Sequence, residues 1–182
     1  MSAEDPTDLT ALDDEAWAAL AAALPPVRPR PIARARLLRA TAGRDRLPPP
    51  VREAMRALFG LSDEDAGALI DRVNTASAWL PGPLPGISIL PLTPADLPRG
   101  PLPDGPTRLL VRIEPGLPFP AHEHLGDEAM LVLEGALTTD AGEVVGPGMC
   151  AHSAPGTRHA LQIHDGSDCI AAVRLGGGIR LV

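Results

Sequence analysis

The sequence predicts a mainly β protein, one small barrel preceded by a short α-helical region. Three observations carry that expectation. Beyond Trp79 helical periodicity stops, and short apolar or alternating runs follow one another between glycine, proline and aspartate, the pattern of a small barrel of short strands. Before that point apolar residues recur at spacings of three and four, as on helices. No internal repeat is present, so the barrel is single; 182 residues suffice for one well-buried domain with an appendage, not for two large ones. The expected division is residues 1–78 as the helical region with its Pro- and Arg-rich linkers, and 79–182 as the barrel.

In chain order, Met1 to Asp8 is acidic and polar and reads as a disordered start. From about Thr10 to Leu24, Leu12, Trp17, Leu20 and Leu24 recur among alanines, the best helix formers. Pro25-Pro26 ends that helix, and the prolines through Pro31 keep the following link extended. A second helix is expected from Pro31 or Ile32 to Gly43, a good C-terminal stop. Pro48 to Pro50 breaks the chain, Val51 to Phe59 forms a third helix capped by Gly60, and Ser62 starts a fourth with Leu69, Ile70 and Val73 on one face. Helix, glycine turn, helix invites a DNA-reader interpretation, but three acids at the start of the second helix would face phosphates. A hairpin packed on the barrel or on itself is expected instead. The strands follow as Gly86–Leu92, Thr107–Ile113, Ala129–Leu137, Glu143–Val145, Met149–Ser153, His159–His164, Cys169–Leu175 and Ile179–Val182, with a tight hairpin around Thr138 to Gly142.

Composition narrows the function classes. Aromatics make up 2% of the chain and Tyr is absent, so the core is built from Leu, Val, Ile and Ala, and stacking is not a main mode of recognition. A net charge of −7 argues against a nucleic-acid binder. All 16 basic residues other than His are Arg. Nine of them lie between Arg28 and Arg56 against only Asp45 and Glu53. They read as the wet sides of two helices; the alternative is a docking surface for an acidic partner centred on Arg34, Arg36 and Arg39. No stretch approaches the roughly 20 apolar residues that span a bilayer and no leader pattern is present, so a cytoplasmic location is expected. Cys150 and Cys169 then read as free, partly buried thiols.

The chemistry concentrates between Gly116 and Gly135, G-L-P-F-P-A-H-E-H-L-G-D-E-A-M-L-V-L-E-G. On a strand, His122 and His124 share a face and can reach one ion from one side. Glu128 follows a turn-like break and can return from the neighbouring strand. His159, after Pro155-Gly156-Thr157-Arg158, opens a further strand and is the fourth candidate ligand. Three imidazoles and a carboxylate suit a single divalent ion, zinc first, with iron, manganese or nickel as alternatives. Glu123, between the histidines, is expected to point away and be solvated. His152 and His164 are expected at the surface or a barrel end, and Cys150, Cys169 and Met130 in the barrel lining. No residue is singled out as catalytic.

This spacing resembles the cupin family. Gly116, His122, His124, Glu128 and Gly135 match its first motif at every position. Gly148, Gly156 and His159 follow the second, with Ala154 where that motif has proline and Ile163 where many members have Asn. The resemblance implies a double-stranded β-helix, or jelly-roll, barrel with the metal inside. Within the cupins, R-I-E-P-G-L-P-F-P-A-H-E-H-L-G-D-E at 112–128, A-P-G-T-R-H at 154–159 and D-C-I-A-A-V-R-L at 168–175 are most similar to the C-terminal domain of ChrR-type anti-sigma factors. That likeness implies a transcriptional regulator or stress sensor. Its helical region would hold a sigma factor, its barrel metal would meet a small-molecule or oxidant ligand, and the barrels would pair as a homodimer. The N-terminal zinc ligands of that family are absent here, since all His and Cys lie beyond residue 120. The alternative is a metal-dependent cupin dioxygenase or oxidoreductase acting on a small organic substrate.

Overall fold

The computed structural model describes residues 13–23, 33, 36–37, 43–100 and 102–182. Two compact units, 1–30 and 31–182, divide the chain. The first contributes α1 (Asp14–Ala23), whose start is held by the Asp13 carboxylate accepting from the Ala16 N–H at 2.8 Å, and which exposes Trp17. The expected second helix falls largely outside the described residues. Where its end was expected, Gly43–Arg46 forms a 3-10 turn.

The helical hairpin is present as α2 (Pro49–Phe59) and α3 (Asp63–Asn74). Helix α2 starts two residues before the expected Val51. Pro49 and Pro50 occupy its first turn, where missing N–H groups cost nothing and the fixed φ is already helical, so the proline run opens the helix as well as ending what precedes it. Gly60 caps it in the left-handed region at φ 68°. The Ser62 side chain accepts from the Asp65 N–H and starts α3.

The strands are β1 (Leu80–Pro81), β2 (Ile87–Pro91), β3 (Thr107–Ile113), β4 (Pro118–His124), β5 (Glu128–Glu134), β6 (Leu137–Thr139), β7 (Val144–Val145), β8 (Cys150–Ser153), β9 (Arg158–Ile163), β10 (Cys169–Leu175) and β11 (Ile179–Leu181). They build two antiparallel sheets, β1-β2-β3-β10-β5-β8 and β11-β4-β9-β6-β7. The expected run Ala129–Leu137 is two strands in different sheets, broken at Gly135. There φ is 72° and an added Cβ would lie on the Asp168 carbonyl oxygen, so only glycine fits the turn.

Two cores explain why β5 and β10 read as continuous apolar runs. Met130 and Val132, with Cys169, Ala171 and Val173, face the space between the sheets. Leu131, Leu133, Ile170 and Ala172 face the other way, against Met55, Phe59 and Ile70 of the hairpin. A strand buried on both faces has no polar side to show. The hairpin therefore packs on the barrel.

Polar ties fix that packing. Arg46 donates to both Glu134 carboxylate oxygens and, at 2.8 Å, to Asn74 Oδ1. Arg72 donates to the Pro91 and Leu92 carbonyls, and the Arg112 guanidinium lies 4.5 Å over the Trp79 ring. Arg36 donates twice to buried Asp168, each at 2.8 Å, so this arginine of the basic stretch is engaged by the barrel. Arg34 and Arg39 lie outside the described residues.

Candidate metal centre

Strand β4 pairs with β9 so that His122 stands opposite His159, and His124 follows on the same face of β4. Cross-strand placement and the period of two thus bring three imidazoles to one point. His159 Nε2 lies 3.0 Å from His122 Nε2 and 3.2 Å from His124 Nε2. His122 and His124 are 3% and 1% exposed, and His159 is half-buried. Among the described residues these three form the group able to share one ion. Glu128 does come back to the site, but from the facing sheet, because Leu125 to Asp127 carries the chain across. Its Oε2 lies 3.1 Å from His124 Nδ1, on the far side of that ring from His159.

Tautomers follow from the partners. His122 Nδ1 is 3.0 Å from the Pro120 carbonyl, which can only accept, so Nδ1 carries the proton and Nε2 keeps its lone pair for the centre. Protons alone serve the centre poorly. With His122 Nε2 bare, one proton on His159 Nε2 would have to be shared between two contacts. His124 Nδ1 is buried without a hydrogen bond, its approach to Glu128 being close but out of line. A divalent cation accepts all the converging lone pairs, and the donor set fits one.

Burial, reinforced by the charges of its neighbours His159 and His124, holds the His122 pKa below its ordinary 6.5, with the Pro120 carbonyl pulling the other way. Burial and then His124 lower that of His159. Neutral imidazoles are the metal-binding form. In metal-free protein the unfolded chain takes up protons near pH 6.5 while the folded sites resist until lower pH. Stability is therefore expected to be flat above about pH 6.5 and to fall as the pH drops through the folded values, by at most about 1.4 kcal/mol per pH unit for each histidine. Urea unfolding between about pH 7.5 and 5.5 checks this; a curve flat across that window would contradict it.

A cavity of about 340 Å³ runs between the sheets to His122 and Glu128, lined otherwise by side chains such as Leu109, Met130, Ala171 and Val173. Cys169 lines it as expected, buried and with its thiol pushed up to about 12 by burial and by Asp168, so it is protonated and inert. Cys150 does not line it. It is exposed on β8, an edge strand of the six-stranded sheet, and shares the outer face with exposed His152. His164 accepts from or donates to Thr138 Oγ1 at 2.7 Å, away from the three imidazoles. Glu123 points outward but is not simply solvated: Arg180 and then Arg158 donate to it and hold its carboxyl below the usual range. Phe119, edge-on to His122 with ring centres 4.9 Å apart, was not singled out by the motif. Its position three before the first histidine, on the opposite register of β4, becomes telling only once the bulge after it is seen.

Residues 73–177 match the family model described as the ChrR cupin-like domain. No curated protein matches. Similar solved structures include a cupin-like protein of unknown function from Ralstonia eutropha, 21% identical over 53% of this chain and 59% of that one, TM-score 0.44. An RmlC-like cupin from the same organism is 20% identical over 57% and 66%, TM-score 0.47. An acetylacetone dioxygenase from Acinetobacter johnsonii is 13% identical over 59% and 74%, TM-score 0.48. The chain spans less than two thirds of either Ralstonia protein. No helix among its described residues is long and apolar enough to cross a membrane.

Proposed function

We propose, for a chain that belongs to the ChrR cupin-like domain family, that the barrel is the sensory half of a transcriptional regulator of the anti-sigma-factor type. His122, His124 and His159 hold a divalent ion, zinc first, with iron, manganese or nickel as the alternatives, and Glu128 stands beside them. The observation that carries the reading is three converging imidazole nitrogens, one of them on His122, which also lines an apolar cavity. Bound there, the ion supplies Lewis acidity and a coordination position for an oxidant or small ligand. The chain's own residues exclude water, keep the imidazoles neutral and offer little proton-transfer machinery: beyond His122 and Glu128 the titratable group in the described lining is Cys169, which stays protonated. The helical region would hold a sigma factor without a zinc site of its own, in the cytoplasm, with barrels paired as a homodimer along one of the open sheet edges.

A second reading, a metal-dependent dioxygenase or oxidoreductase, is favoured by the cavity itself, since an apolar chamber reaching His122 would also receive an organic substrate. Elemental analysis of the purified protein, followed by anaerobic addition of oxygen and co-purification with candidate sigma factors, separates the two. Zinc with a bound sigma factor supports the regulator. Iron that consumes oxygen with substrate, and no sigma factor recovered, supports the enzyme; protein without metal sinks both.

A further inference from the structure

We infer that the barrel cavity binds a neutral aliphatic molecule of about ten heavy atoms with one oxygen function, a medium-chain ketone or alcohol. Its oxygen would point toward His122 and Glu128, and its chain toward Leu80 and Leu97. The inference deepens the function proposed above, and rests on it only for what meets the oxygen.

Size comes first. A volume of about 340 Å³ lies at the small end of ligand sites, roughly 300–1,000 Å³, and at roughly 30 Å³ per water-sized group holds about ten to eleven heavy atoms. Chemistry comes second. The lining is otherwise aliphatic: among the described residues Phe119 is its one Phe, Tyr or Trp side chain, so stacking surface for an aromatic ligand is scarce. Among the described residues no arginine lines the cavity, while Glu128 does. An anionic head would meet repulsion there without a side-chain cation to answer it. Direction comes third. His122 and Glu128 are 3% and 9% exposed, whereas Leu80 and Leu97 also line the cavity yet stand 38% and 46% exposed, which puts the mouth on the leucines' side. Two leucines left in water at the mouth are the surface an entering hydrocarbon chain would cover.

The test is calorimetric titration of the purified protein, with its native metal and after chelator treatment, using methyl ketones from pentanone to tridecanone and the carboxylates of matching length. Affinity is expected to rise about fourfold per methylene, the gain from burying one such group, and to level off near ten to eleven heavy atoms. In the chelator-treated protein, where no metal cation offsets Glu128, the carboxylates should bind more weakly at each length. Ala171→Phe, which puts a ring into the cavity on the β10 side, should weaken decanone by about tenfold or more while leaving metal content unchanged. Affinity independent of chain length overturns the inference, as does undiminished binding in a folded Ala171→Phe protein. If that variant does not fold, the length series on the unaltered protein decides alone. Protein that carries no metal as purified, yet shows the length series, supports the aliphatic ligand and refutes the metal reading; metal-loaded protein without a length series does the reverse, so the two fail separately.

Discussion

Replacing Glu134 with alanine is expected to remove about 3–5 kcal/mol of stability, the range for taking one partner from a buried ion pair. Glu134 closes β5 and Arg46 stands in the 3-10 turn, and each side chain is only 8% exposed. Arg46 reaches both carboxylate oxygens and also Asn74 at the end of α3, whose amide donates to the Gly43 carbonyl at 3.1 Å. One guanidinium thus ties sheet, hairpin and turn. Without Glu134 its charge stays buried beside an amide that can offer a dipole but no counter-charge. Against a total of about 5–15 kcal/mol for a domain, such a loss would unfold much of the population on modest warming. Glu134→Gln should cost less, since its amide oxygen can still accept one of the two bonds while its NH₂ faces a donor. Urea unfolding followed by fluorescence reads the effect well, because Trp79 is 8% exposed in the core between hairpin and sheet. A loss below about 1 kcal/mol, the range of surface pairs, would show that the pair is open to water.

The Glu134 tie also marks where sequence reasoning stops. Local rules were legible: Gly60 and Ser62 cap their helices, Thr107–Ile113 and Cys169–Leu175 are strands with the expected bounds, and period two puts His122 and His124 on one face. So was the meeting of three histidines, because motif spacing encodes strand pairing. Arg46 and Glu134 are 88 residues apart, and Arg36 and Asp168 are 132 apart. Nothing in periodicity or turn chemistry links such partners, and an arginine-rich stretch looks the same whether its charges face water or a buried carboxylate. Cys150 was misplaced for a related reason. Alternation tells which residues share a face, and Cys150 does share one with His152. Only the sheet order tells that β8 is an edge whose outer side is wet. The proline run at 48–50 was ambiguous by nature, since the geometry that ends one helix suits the first turn of the next.

His159→Ala is expected to lose metal through dialysis, whereas Glu128→Gln is expected to weaken binding by only about 10–100-fold, the effect of losing a group that orients a ligand. The difference follows from placement. His159 Nε2 lies within 3.2 Å of both other Nε2 atoms, at the hub of the centre. Glu128 lies instead against His124 Nδ1, where its carboxylate favours a proton on that nitrogen and leaves Nε2 bare for the ion. His159 is also the cleanest of the three to remove, being half-buried, while His122 and His124 are almost fully enclosed and their loss would leave voids. Competition with a chromophoric chelator at about pH 7.5, well above the lowered imidazole pKa values, measures both variants on one scale. If Glu128→Gln released metal as completely as His159→Ala, Glu128 would be a ligand in its own right, as the spacing from His124 to Glu128 expects. Its contact with Nδ1 would then belong to the metal-free protein, and binding would have to swing the carboxylate from the ring's outer nitrogen toward the hub.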